Sequence, residues 1–323
     1  MKHDRKKDTR MLFLLAELVL GIAAAGMLAV MFSGEKETPK AAVIVSQSDS
    51  GQWSAFVAGI KQAASDRNID VVISSTGWLT VEEERALMQQ EMDSGADALI
   101  VQPAPGTGTE RMLRETAGNV PVMLVGAGTA AGDAAPSFPV MMADNYAMGE
   151  ALAGMIREDF AGKLDGRTVG LVSRTPDAAD AADRERGFLD GMKGTGCTVR
   201  WTLRGTDEDK EEAIYAEDRV DLVAALNTGD LEAAGTDAEA RRIHGALVYG
   251  IASSTKALYF LDHDNVEGLV FPNGFELGYR SFAEVAEKLE HGSYRMQSGD
   301  VSFRTLRRED LFSGEDEVLF MPQ

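Results

Sequence analysis

The chain has 323 residues, 44% hydrophobic and 26% charged, the profile of a folded globular protein long enough for two lobes. Its formal net charge of -20 excludes the basic footprint of a nucleic-acid binder. One cysteine, Cys197, excludes an intramolecular disulfide, and the four scattered histidines (His3, His244, His263, His291) have no metal-ligand spacing.

Lys2, Arg5, Lys6, Lys7 and Arg10 crowd residues 1–10, and residues 11–32 are then apolar except for Glu17. About 20 apolar residues cross a bilayer, whereas a cleavable signal carries an apolar run of roughly 7–15. Neither a convincing cleavage site nor a cysteine for lipid attachment follows. The pattern predicts an uncleaved transmembrane signal-anchor helix over 11–32, with 1–10 a cytoplasmic basic segment and the rest extracytoplasmic. Residues 33–40, polar and containing Gly34 and Pro39, form a linker.

Beyond the linker, apolar runs alternate with amphipathic stretches. The runs Ala42–Ser46, Val71–Ser74, Ala98–Val101 and Val122–Val125 end 24 to 28 residues apart, the spacing of βα units feeding a parallel sheet. Trp53, Phe56, Val57 and Ile60 fall at helical spacing between the first two. Thr80 with Glu83, and Thr107 with Glu110, each fit a capping box. A second set follows. Val140–Ala143 precedes a helix from Tyr146 to Phe160, and strands recur at Val169–Ser173, Leu222–Leu226, Ala246–Ile251 and Leu269–Phe271. The fold class expected is α/β, two doubly wound parallel-sheet lobes with ligand-facing loops at the carboxyl ends of their strands.

Five motifs follow an opening strand in one order: Asp49-Ser50-Gly51-Gln52-Trp53 with Phe56 and Gly59; Asp97-Ala98-Leu99-Ile100-Val101-Gln102-Pro103; Val120-Pro121-Val122; Ala143-Asp144-Asn145; and Arg184-Glu185-Arg186-Gly187-Phe188. Together they make residues 41 to 323 resemble the type I periplasmic binding protein family, in its ribose- and galactose-type sugar-binding branch. The resemblance implies reversible capture of a small ligand, a sugar or polyol, by lobes joined through a three-segment hinge near Asp144, Asn273 and Gly299. The implied lobes are 41–143 with 274–298, and 144–273 with 299–323. It also implies a permease or a sensor kinase as partner. Related repressors carry an amino-terminal helix-turn-helix, where this chain has its apolar segment.

The ligand contacts expected are Asp49, Ser50 and Gln52 on the first loop, Trp53, Gln102, Gly126, Arg184, Asn227, Asp230 and Asn273. An indole face stacks on the C–H face of a sugar, and a guanidinium presents a rigid fork of donors to hydroxyls or a carboxylate. Core packing competes for Trp53, sharing a helical face with Phe56 and Ile60, and an ion pair with nearby acids competes for Arg184. Asp144 and Asn145 are expected to cap a helix and shape the hinge. Two departures from the sugar-binding branch stand out. Gly126-Ala127-Gly128 and Ala252 occupy places where that branch carries acids, which removes charged acceptors for hydroxyls. A specificity other than ribose, or a ligand-free clam serving as an interaction module, follows as the alternative.

No enzyme constellation is present. Gly126-Ala127-Gly128-Thr129-Ala130-Ala131-Gly132 misses the dinucleotide fingerprint by one residue, and P-loop, His-Glu-x-x-His and Gly-x-Ser-x-Gly motifs are absent. Asp262-His263-Asp264-Asn265 lacks the later glutamate of a calcium loop. No cofactor and no metal are expected.

Overall fold

The computed structural model describes residues 19–23, 38–46, 53–76, 80–106, 108–129, 138–173, 179–204 and 214–312. Of the expected membrane segment only 19–23 are described; they are helical and exposed, and the rest of 11–32 lies outside the described residues. Among the described residues no helix is long and apolar enough to cross a membrane. Residues 1–38 and 39–323 form separate compact units, and the second holds the fold.

Among the described residues, twelve strands build two six-stranded sheets. The first contains β1 (Lys40–Ser46), β2 (Asp70–Thr76), β3 (Ala98–Val101), β4 (Val122–Val125), β5 (Val140–Ala143) and β11 (Gly299–Val301). The second contains β6 (Thr168–Val172), β7 (Thr198–Leu203), β8 (Leu222–Ala225), β9 (Leu247–Ile251), β10 (Gly268–Pro272) and β12 (Phe303–Leu306). Their orders, β11-β5-β4-β3-β1-β2 and β12-β10-β9-β8-β6-β7, are the same pattern used twice. Pairing is parallel except that β12 runs antiparallel to β10. In β1, Ala41, Val43 and Val45 enter one apolar cluster while Ala42 and Ile44 enter another. Both faces are covered, which is why the strand reads as an unbroken apolar run.

The helices between the strands are α1 (Ser54–Arg67), α2 (Val81–Asp93), α3 (Thr109–Ala117), α4 (Asn145–Asp159), α5 (Ala179–Met192), α6 (Thr228–Glu239), α7 (Thr255–Asp262) and α8 (Gly274–Glu290). The Thr80–Glu83 capping box opens α2. The second expected box is not seen: Thr107 lies outside the described residues, and α3 starts at Thr109 with Gly108 as its cap. Glu110 is turned inward instead, where its Oε2 accepts from the Thr129 hydroxyl at 2.5 Å.

In each lobe two helices cross through glycines. A Cβ on Gly59 of α1 would stand 2.1 Å from the Phe275 carbonyl oxygen of α8, and one on Gly278 would stand 2.1 Å from that of Phe56. In the second lobe Gly149 of α4 meets the Arg184 carbonyl of α5, and Gly187 meets that of Tyr146. All four glycines touch the carbonyl three positions before the opposing glycine. The crossings place Phe56, Ile60, Phe282 and Val285 from one lobe, and Met148, Leu152, Ile156 and Phe188 from the other, in one apolar cluster.

The chain passes between sheets three times: at Asp144 between β5 and α4, at Asn273 between β10 and α8, and at Ser302 between β11 and β12. The third point corrects the expected crossing near Gly299. Residues 299–301 pair with Met141–Ala143 of β5, so they belong to the first lobe rather than the second. Because β5 and β10 each run directly into a helix of the other lobe, the carboxyl ends of both sheets converge on the crossings.

Candidate functional site

Three expected contacts, Asp49, Ser50 and Gln52, lie outside the described residues. Trp53 follows them as the N-cap residue of α1 and is 8% exposed. Its ring meets Phe56 edge-on, 5.1 Å between centroids, so the indole body is packed into the core. Its Nε1, however, is buried with no acceptor among the described residues. A buried indole N–H ordinarily finds a partner. Gly126, at the end of β4, has φ +77, and a Cβ there would point at the Trp53 ring from 3.8 Å. The backbone conformation favours glycine, while a Cβ there would make only ordinary contact with the indole.

Gln102 follows β3, and its Oε1 accepts from both the amide (2.9 Å) and the hydroxyl (3.0 Å) of Ser46 at the end of β1. The carboxamide therefore ties two strand ends together, and its Nε2 carries no hydrogen bond among the described residues.

In the second lobe Arg184 lies in the amino-terminal half of α5, the helix that follows β6 just as α1 follows β1. It forms an ion pair with Asp180 one turn earlier, and the two side chains are only 15% and 14% exposed. The pair draws the guanidinium toward the amino end of the helix, the end nearest the carboxyl edge of the sheet. Arg184 Nε is buried without an acceptor among the described residues. Asn227 and Asp230 are used internally: Asn227 Oδ1 accepts from the Asp230 amide at 3.0 Å and its Nδ2 donates to the Asp230 carboxylate. Asp230 is fully buried, so the pair forms the cap of α6. Beside it the Ser253 amide donates to Thr228 Oγ1 at 3.1 Å, leaving hydroxyls, not carboxylates, at the ends of β8 and β9. Ala252 is buried and presents no polar group.

At the crossings Asp144 caps α4, its Oδ1 accepting from the Ala147 amide at 2.9 Å. Asn145 is buried and donates to the Ala143 carbonyl at 3.0 Å. Asn273 caps α8 through the Glu276 amide, 3.0 Å, and its own amide donates to the Ser302 carbonyl at 2.9 Å. Glu276 completes a clamp that sequence reasoning missed: its Oε2 accepts from the Ser302 amide (3.1 Å) and hydroxyl (2.5 Å). Its Oε1 accepts from Arg280 at 3.1 Å, and Arg280 also reaches the Asp300 carbonyl at 2.7 Å. The second and third crossings are thus joined into one ribbon. A Glu three residues after an N-cap Asn was the available signal; nothing in the sequence pointed to Ser302.

Burial pushes the Glu276 carboxyl up, but the hydrogen bonds from Ser302 and Arg280 outweigh it and hold it below the usual carboxylate range. A depressed carboxyl contributes stability that is present above its unfolded value and lost as pH falls through its folded one. Glu276→Ala is expected to lower stability at neutral pH by about 1–2 kcal/mol, with the difference from wild type shrinking in acid; urea unfolding at neutral and acid pH checks both.

On the outer face of α8, Glu287, Glu290 and His291 come together, but Arg67 already holds the carboxylates, 2.9 Å from Glu287 and 3.2 Å from Glu290.

Residues 41–293 match the family described as periplasmic binding protein domain. No sequence among the curated proteins matches the chain. Among solved structures, a carbohydrate transporter solute-binding protein from Agrobacterium radiobacter, in complex with D-arabinose, superposes with a TM-score of 0.76 at 20% identity, covering 89% of this chain and 100% of that one. GanP, a glucose-galactose binding protein from Geobacillus stearothermophilus, gives 0.73 at 19% identity over 86% and 100%. A chain of the XylFII–LytSN complex gives 0.69 at 14% identity over 84% and 99%.

Proposed function

The chain belongs to the periplasmic binding protein domain family, and from that premise we propose that it captures a monosaccharide or related polyol between its lobes, without catalysis. The observation that carries this reading is the pair of buried donors, Trp53 Nε1 and Arg184 Nε, without acceptors among the described residues, on helices that follow the equivalent first strands of the two sheets. A donor buried without a partner costs about 1–3 kcal/mol, a cost that a hydroxyl oxygen of a ligand removes. Contacts from both lobes favour the closed state, and the crossings at Asp144, Asn273 and Ser302 supply the bend. With no carboxylate at Gly126 or Ala252, the ligand is less dependent on charged acceptors than ribose in the related branch. D-arabinose bound to one structural neighbour and the glucose-galactose specificity of another support the ligand class.

The same reading holds the domain on the extracytoplasmic face of the cell membrane, tethered by residues 11–32, where it delivers ligand to a permease or reports it to a sensor. The XylFII–LytSN complex supports a protein partner for such a fold. A thermal-shift panel of pentoses, hexoses, polyols and amino sugars tests the ligand class, because a ligand that binds only the folded state raises Tm. At least one monosaccharide is expected to do so. A flat panel at millimolar concentration turns the proposal toward a ligand-free interaction module. Replacing Trp53 by Ala in the same assay separates its two roles: ligand loss with modest destabilisation marks a contact, whereas a loss of about 3–5 kcal/mol marks core packing.

A further inference from the structure

Glu84 lies on α2, wholly buried. Its Oε2 accepts from the Ala104 amide at 2.9 Å, and its Oε1 is buried with no partner among the described residues. Ala104 sits in the strap 102–106 that follows β3, and this strap is pinned on both sides. Gln102 is bonded to Ser46, and the buried Thr109 hydroxyl donates to the carbonyls of Ala104 (2.9 Å) and Gly106 (3.3 Å). Glu84 is an ionisable group held against this strap through Ala104, which lies two residues after Gln102.

A carboxylate needs donors for both oxygens, and this site offers one backbone amide. The neutral acid fits the packed arrangement; the anion must draw in water or displace the strap. Burial pushes the Glu84 carboxyl up to about 7, opposed by the Ala104 hydrogen bond. The charges on the elements packed against α2 do not offset this. They are Glu110, Arg111, Arg114 and Glu115 of α3, Lys40 of β1 and Asp70 of β2; Glu110 is paired with Arg114, and the Lys40 ammonium donates to the Ser94 carbonyl at 3.1 Å. On α2 itself, Glu91 is bonded to Ser74, and Glu83 to Thr80.

We infer that Glu84 is a positioning residue for the cleft: by gaining or losing a proton beneath the strap it sets where Gln102 stands at the end of β3, and so couples ligand affinity to pH. This rests on the cleft reading above, and the test separates the two. The amide signals of Gln102 and Ala104 are followed by nuclear magnetic resonance in the isotope-labelled full chain across the neutral range, with no sugar present. Affinity for D-arabinose and D-galactose is then measured below and above neutrality in wild type and Glu84→Gln.

Both amides are expected to titrate together with a midpoint near 7, and Glu84→Gln is expected to abolish that titration while circular dichroism stays unchanged. Wild-type affinity is expected to fall severalfold above neutrality, and that of Glu84→Gln to stay level. A titration that survives Glu84→Gln, a Gln102 signal that stays still while Ala104 moves, or sugar affinity equally pH-independent in both proteins overturns the inference. If neither sugar binds at any pH while the amides titrate as expected, the coupling of Glu84 to Gln102 stands and the sugar reading fails.

Discussion

Gly187→Ala and Gly278→Ala are expected to destabilise the protein by about 2–3 kcal/mol each, against a helix-propensity gain of roughly 0.8–1 kcal/mol that the same change brings elsewhere. The opposing effects are separable because the contacts differ. At Gly187 the new methyl would stand 2.0 Å from the Tyr146 carbonyl oxygen and at Gly278 2.1 Å from that of Phe56, where ordinary contact begins at 3.4 Å. The obstacle is backbone on a packed helix, so the two helices must part by more than 1 Å, loosening Phe188 and Phe282 behind them. Close-packed interiors do not absorb such a shift locally. Gly154→Ala on α4 is the control, since a Cβ there meets nothing within 4 Å; it should stabilise by about 0.5–1 kcal/mol. Urea unfolding of the three variants decides the point, and a neutral or stabilising Gly187→Ala would mean that the crossing is looser than described.

Glu84→Gln should raise stability in mild alkali and leave it nearly unchanged in acid. The sign follows from the raised carboxyl. Between its unfolded value of 4.5 and its folded value of about 7, the native state binds more proton than the unfolded one. Stability is therefore fully present below 4.5 and lost as pH rises through about 7. The spacing of the two values corresponds to roughly 3 kcal/mol at alkaline pH, an order-of-magnitude figure. Gln keeps the acceptor for the Ala104 amide and carries no charge, so the variant should escape that loss. Urea midpoints of both proteins in acid and in mild alkali measure it. Parallel pH dependence in the two would show that the Glu84 carboxyl is solvated.

The sheets were legible because a strand covered on both faces leaves a continuous apolar run, as in β1, and because βα spacing is regular. β11 and β12 were not. Each is three or four residues long, and Asp300 and Arg304 interrupt them, so pairing with β5 and β10, not composition, makes them strands. Asp144 and Asn273 could be placed because an Asx residue before a helical pattern is a local signal, while the Ser302 clamp depends on contacts distant in sequence. Glu84 was hidden among Glu82, Glu83 and Glu84 of one helical turn. Charge runs on a first turn ordinarily face water, and only the helix rotation fixed by packing on β1 and β2 turns one of the three inward. Asn227 and Asp230 show the converse: polar residues after a strand, legible as pocket candidates, whose side chains are spent on capping α6.

The most direct test is a calorimetric titration of wild type and Arg184→Ala with whichever sugar of the panel raises Tm most. A ligand held from both lobes predicts micromolar or tighter binding, about 8 kcal/mol, and a loss of roughly 1.5–3 kcal/mol in the variant, ten- to a hundredfold, with the Tm of the free protein little changed. Equal affinity in the two proteins would return Arg184 to an ion pair with Asp180 and contradict a binding site shared by both lobes.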